Sequence, residues 1–124
     1  MESAEVLELA KKIVEILDEK KALDIQTLAV GDKTILADYF IIAGGSSTTQ
    51  VRALADELSV RMSQNYGVRP SRTEGIQSAN WILLDYNSVI VHIFHRETRE
   101  FYNLEKLWSE GSEIPTSVLG ELQI

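Results

Sequence analysis

Cysteine is absent from the chain, which excludes disulfide staples and thiol catalysis and leaves any zinc site without a thiolate ligand. No apolar run approaches the ~18 residues of a membrane span, and the first residues carry neither the basic region nor the apolar core of a signal peptide. A cytoplasmic location is the expectation. Clustered cations are also lacking: the net charge is -7, and nonspecific nucleic-acid binding needs basic patches that displace counterions. Histidines number two, His92 and His95, and aromatic residues make up 7% of the chain.

What is present suits a soluble α/β domain. A chain of 124 residues with a 44% apolar and 25% charged composition can bury one core unaided. The charge is uneven. Residues 1–49 hold five Lys and nine acids, residues 50–100 six Arg and six acids, and residues 101–124 one Lys and four Glu. The middle third is therefore neutral and uses only Arg, the cation suited to fixed pairing. No repeat or low-complexity block is visible, so residues 1–109 are expected to form a single domain. Residues 110–124, broken by Gly111, Pro115 and Gly120, read as a loosely held tail.

The chain is organised around Trp81–Trp108. Ile82–Leu84 and Val89–Phe94 suit two strands, with Asn87 able to take the left-handed backbone of a tight hairpin. From Arg96 the spacing becomes helical, with Phe101, Leu104 and Trp108 on one face. Upstream, Ser3 can cap a helix whose stripe is Val6, Leu9, Ala10, Ile13, Ile16 and Leu17. Leu23–Val30 reads as a strand, and Tyr39–Ala43 as a second one covered on both faces. The Gly44–Thr49 step opens a helix with the stripe Val51, Leu54, Ala55, Leu58 and Met62, stopped at Gly67. Arg69–Gly75 is a turn-rich connection with room for one short strand. These elements predict an α/β fold around a small mixed β-sheet packed with helices.

Catalytic signatures are weak. Gly44-Gly45-Ser46-Ser47 could offer N–H groups to a phosphate, but no Gly-Lys-Ser/Thr follows. A nucleotidyltransferase would place two carboxylates on the next strand for two metal ions, whereas the strands offer Asp85 alone. No Gly-x-Ser-x-Gly elbow is present, and Asp38 and Glu74 read as a strand-entry turn and a loop charge. His92 and His95, three apart on a strand, fall on opposite faces and cannot share a metal. His92, between Val91 and Ile93, reads as a buried, hydrogen-bonded histidine. His95 beside Arg96 is the more exposed of the two, a candidate contact residue. No metal or cofactor is expected. An RNA-binding surface made of Arg52, Arg61, Arg69, Arg72, Arg96 and Arg99 is an alternative, with internal ion pairs as the simpler account. Six aromatics, Trp81, Tyr86, Phe94, Phe101, Tyr102 and Trp108, crowd into 28 residues. Phe94 and Phe101 suit the core; Trp81 and Tyr102 suit either core or interface.

The motifs Ala37-Asp38-Tyr39-Phe40-Ile41-Ile42, Gln50-Val51-Arg52, Glu74-Gly75, Trp81-Ile82-Leu83-Leu84-Asp85-Tyr86, Val91-His92-Ile93-Phe94, Arg99 and Phe101-Tyr102-x-Leu104-Glu105-x-Leu107-Trp108, in this order over residues 5–109, closely resemble the ribosomal silencing factor family (RsfS, also called Iojap). The resemblance implies a nucleotidyltransferase-like fold without the catalytic carboxylates, a homodimer, and no enzymatic activity. It implies binding to ribosomal protein fourteen of the large ribosomal subunit, where the factor stands in the way of the small subunit and represses translation when nutrients are scarce. Ribosomal RNA contact is compatible with that position. Carried across residue by residue, the contact surface maps to Trp81, Leu83, Tyr102, Lys106, Leu107 and Trp108, with Asp85, His95 and Glu105 as further candidates. One departure is the hairpin turn Tyr86-Asn87-Ser88, where the family usually has Gly and an acid; Asn tolerates the same backbone.

Overall fold

The structure, a computed structural model, describes residues 3–32 and 34–102, with side chains described for 4–32 and 34–99. Helix α1 (Ser3–Glu19) and helix α2 (Thr48–Tyr66) lie on one face of a five-stranded sheet. The strands are β1 (Leu23–Ala29), β2 (Tyr39–Gly45), β3 (Arg72–Glu74), β4 (Trp81–Asp85) and β5 (Val89–His95), in the spatial order β1-β2-β5-β4-β3. Only β2 and β5 run parallel; the other pairs are antiparallel. The short helix α3 (Arg96–Tyr102) follows β5 directly.

Sequence periodicity dictates the helix faces. Along α1, Val6, Ala10, Ile13, Ile16 and Leu17 are buried, and Leu9 packs at their margin. Along α2 the buried set is Val51, Leu54, Ala55, Leu58 and Met62. Removing each large apolar side chain from water stabilises the fold by roughly 1.5–3 kcal/mol, so the two stripes suffice to dock both helices on Ile41, Ala43, Ile82, Leu84, Val91 and Ile93. Polar contacts align them further: Arg61 pairs with Glu19 at 2.7 Å, and Lys12 sits over the Tyr66 ring. Ser47 caps α2 by accepting from the Gln50 N–H, and the helix closes at Gly67, whose N–H donates to the Ser63 carbonyl while the Val68 N–H donates to that of Met62.

Gly44 and Gly45 belong to β2, paired with Phe94 and His95, and the turn is confined to Ser46 and Ser47. A Cβ on Gly45 would come within 2.8 Å of Val51 Cγ2, so this glycine lets α2 start hard against the sheet. The Ser46 N–H donates to Gln50 Oε1 and the Val51 N–H to the Ser47 carbonyl. The N–H groups of Ser46 and Gln50, two of the donors that a phosphate would use, are thus already engaged.

Hairpin β4–β5 turns at Asn87, whose φ of 71° is the left-handed conformation expected there. Strand β2 is buried from Phe40 onward on both faces, which accounts for its lack of alternation.

Candidate functional site

Alternation along each strand, combined with the pairing register, fixes which side chains share the face opposite α1 and α2. Leu28, Phe40, Ile90, Asp85 and Arg72 form one row across the sheet, and Gln26, Ile42, His92, Leu83 and Glu74 the next. Gly44, Phe94 and Trp81 form a third. Val30, Ala37, Phe40, Ile42, Leu83, Ile90 and Phe94 are its buried apolar members, with Trp81, Leu28 and Leu36 half-buried beside them. Phe94 and Trp81 meet with ring centroids 4.7 Å apart.

Trp81 is set in place from three sides. Its indole N–H donates to His92 Nδ1 at 3.1 Å. Its main chain is backed by Gly75, where no Cβ could fit against the Trp81 carbonyl. The loop between β3 and β4 is held by Arg52 of α2, which donates to the carbonyls of Ile76 at 3.0 Å and Gln77 at 2.6 Å. Two further bonds close the loop, Ala79 N–H to the Gly75 carbonyl and His95 N–H to the Asn80 carbonyl. Strand β3 pairs only with Leu83–Asp85, so Trp81 projects past its end. The tryptophan therefore stands half-exposed at a local sheet edge on a rigid support.

Asp85, at the other end of β4, is occupied structurally. Its Oδ1 accepts from the Asn87 N–H at 2.7 Å, bracing the hairpin, and its Oδ2 lies 3.5 Å from Arg72 Nε. His92 is wholly buried, and burial pushes its pKa down from 6.5 to about 3. It is a neutral ring under ordinary conditions. Among the described residues no group of three or more His, Asp or Glu is placed to hold a metal ion, and no helix is long and apolar enough to cross a membrane.

The sequence matches the family described as "Ribosomal silencing factor during starvation" over residues 3–123. The chain belongs to the ribosomal silencing factor family. The ribosomal silencing factor RsfS of Halalkalibacterium halodurans is 40% identical over 92% of this chain and 94% of its own. The mouse protein named "Mitochondrial assembly of ribosomal large subunit protein 1" is 34% identical over 78% of this chain and 43% of its own. A crystal structure of a Chromobacterium violaceum protein superposes with a TM-score of 0.78 at 35% identity, covering 93% of this chain and 91% of that one. A five-stranded mixed sheet packed with three helices is thus shared with solved relatives. Membership carries a ribosome-associated silencing role, regulatory in kind.

The expected contact residues divide as follows. Trp81, Leu83 and Asp85 lie on one sheet face, as i, i+2 and i+4 of β4. Leu83 is only 3% exposed and forms the floor of the face, between His92 and Glu74. His95 alternates to the opposite face, paired with Gly45. Tyr102 ends α3; its side chain, and Glu105, Lys106, Leu107 and Trp108, lie outside the described residues, as does the tail 110–124. Three residues absent from the expected set shape the site: His92, Gly75 and Arg52. Arg61 and Arg72 face Glu19 and Asp85, but Arg52 and Arg99 donate to main-chain carbonyls, Arg99 to those of Leu23 and Asp24.

Proposed function

We propose that this chain binds the large ribosomal subunit at ribosomal protein fourteen and prevents the small subunit from joining, as a cytoplasmic homodimer without catalytic activity. The observation that carries the reading is the Trp81 face: a half-buried tryptophan, its indole bonded to His92 and its main chain backed by Gly75, standing over an apolar floor of Leu83 and Phe94, with Glu74 near it and Asp85, paired with Arg72, at the far end of β4. Rigid aromatic anchors with an acidic rim suit a basic ribosomal protein, and the net charge of -7 favours that encounter. The mechanism is steric occupation of the joining surface. Asp85, the one carboxylate on the inner strands β2, β4 and β5, has both oxygens engaged, which supports a non-catalytic role.

The test is co-sedimentation with purified large subunits, followed by the rate of subunit joining with the protein added before the small subunit. Binding with slowed joining is the expected result. Trp81→Ala and Tyr102→Ala should each weaken it while the fold persists. Subunits that join at an unchanged rate under saturating protein would defeat the proposal.

A further inference from the structure

The imidazole of His92 lies in the sheet interior between Phe40, met edge-on at 4.7 Å, and Phe94, stacked at 6.2 Å. Its strand neighbours are Val91 and Ile93, and any aliphatic residue could fill such a position. A histidine there carries a cost. Its Nδ1 accepts the Trp81 indole N–H, so the ring must be neutral with its proton on Nε2. That Nε2 is buried and has no hydrogen-bond partner among the described residues. A half-satisfied buried imidazole is less favourable than a leucine of similar volume, unless the bond it does make serves a purpose.

We infer that His92 is a positioning residue for the partner-binding site: its Nδ1 holds the Trp81 indole in one orientation, so that the exposed part of the ring is presented to the ribosomal partner already in its bound pose. The inference rests on the proposed role of Trp81 as an anchor. Tryptophan at a strand end, past the last pair with β3, would otherwise sample several rotamers. Binding would then have to select one, at a cost in affinity. A single hydrogen bond from the indole N–H to a fully buried acceptor removes that search, and the Phe94 ring under the indole limits the remaining tilt. His92 touches no partner; it acts through Trp81.

Two substitutions separate positioning from packing. His92→Leu fills the space without an acceptor, whereas His92→Asn places a carbonyl oxygen where Nδ1 stood but fills the space less well. If His92 matters only as core, thermal stability and large-subunit affinity should fall together, with Asn the worse of the two. If it positions Trp81, the orders cross: Leu is the more stable variant, yet binds about tenfold more weakly than wild type, and Asn recovers most of that loss. The direct readout is the indole N–H signal in a proton–nitrogen spectrum. The two tryptophans give two such signals, and the one missing from Trp81→Phe belongs to Trp81. It should exchange slowly with solvent in wild type and His92→Asn, and at least about tenfold faster in His92→Leu. Rapid exchange of that proton in the wild-type protein overturns the inference without any variant. So does a His92→Leu protein that binds as tightly as wild type while Trp81→Ala binds weakly. Loss of indole protection in His92→Leu, with Trp81→Ala binding normally, would uphold the hydrogen bond as an orienting contact and reject the anchor role on which its function rests.

Discussion

Gly75 approaches the Trp81 carbonyl oxygen so closely that a Cβ at Gly75 would overlap it, and its φ of 84° is a conformation that side chains oppose. The two constraints act at one point, where the loop from β3 is laid across the first residue of β4. Gly75→Ala must both adopt the left-handed backbone, at about 1–2 kcal/mol, and push the carbonyl aside. A loss of at least ~2 kcal/mol in chemical denaturation is expected, and, on the proposed function, weaker large-subunit binding because Trp81 moves. A change below ~0.5 kcal/mol, the range of an ordinary surface substitution, would show that the loop is not laid across Trp81.

Arg52 holds the same loop from the helix side, with two guanidinium donors on consecutive carbonyls. Lysine keeps the charge but cannot form the fork. Arg52→Lys should therefore cost on the order of 1–2 kcal/mol and raise amide exchange at Ala79, whose N–H closes the loop on Gly75. Unchanged exchange at Ala79 would mean the loop is held by its own internal bonds.

Acid should weaken the fold through His92. The folded protein holds this imidazole unprotonated down to about pH 3, whereas an unperturbed histidine takes up its proton near 6.5. Below 6.5 the unfolded state thus binds a proton that the folded state refuses. Stability from this group is complete above pH 6.5 and declines with falling pH, by up to ~1.4 kcal/mol per unit. Denaturation of wild type and His92→Leu between pH 7 and about pH 4.5 should give a shallower slope for the variant, by about 1 kcal/mol per unit on average over that range. Parallel slopes would show that the ring is protonated in place. Arg72, Glu74 and Asp85 share the sheet face with His92, and they are common to both proteins in that comparison.

Tyr86 packs its ring in the core below the hairpin, 4% exposed, and burial pushes its phenol up to about 12. The hydroxyl is buried with no hydrogen-bond partner among the described residues. An unmatched buried hydroxyl opposes folding, so Tyr86→Phe should be neutral or stabilising by up to ~1 kcal/mol. A destabilised Phe variant would reveal a partner for that oxygen.

Much of this architecture could be read from residue order, because apolar spacing is a direct projection of which face is buried. The α2 stripe from Val51 to Met62 and the turn at Asn87 are local consequences of local sequence. Left-handed backbone at Lys21, Asp24 and Ala79 was not legible, since Lys and Ala do not favour it, Asp adopts it only in some contexts, and neighbouring structure imposes it. At Asp24 that structure is visible: Arg99, 75 residues away, holds the carbonyls of Leu23 and Asp24 across the irregularity in β1. The same limit applies to the site. Spacing places Trp81, Leu83 and Asp85 on one face, but only the register of β4 on β5 brings His92 to the Trp81 indole and turns His95 away.

Asp85 decides between binding and phosphoryl chemistry. A metal ligand must present free carboxylate lone pairs to the ion, whereas here one oxygen braces the Asn87 N–H and the other faces Arg72. Magnesium would have to displace both contacts and would find no second carboxylate on β2 or β5. Titrating nucleotide with magnesium should therefore give no heat of binding. Asp85→Asn should keep the hairpin bond through its own carbonyl oxygen and lose little stability, because the Arg72 pair is partly exposed and worth at most ~1 kcal/mol. Asp85→Ala, which removes the brace as well, should lose roughly 1 kcal/mol more. Saturable magnesium-dependent nucleotide binding that disappears in Asp85→Asn would reassign this carboxylate from scaffold to catalyst.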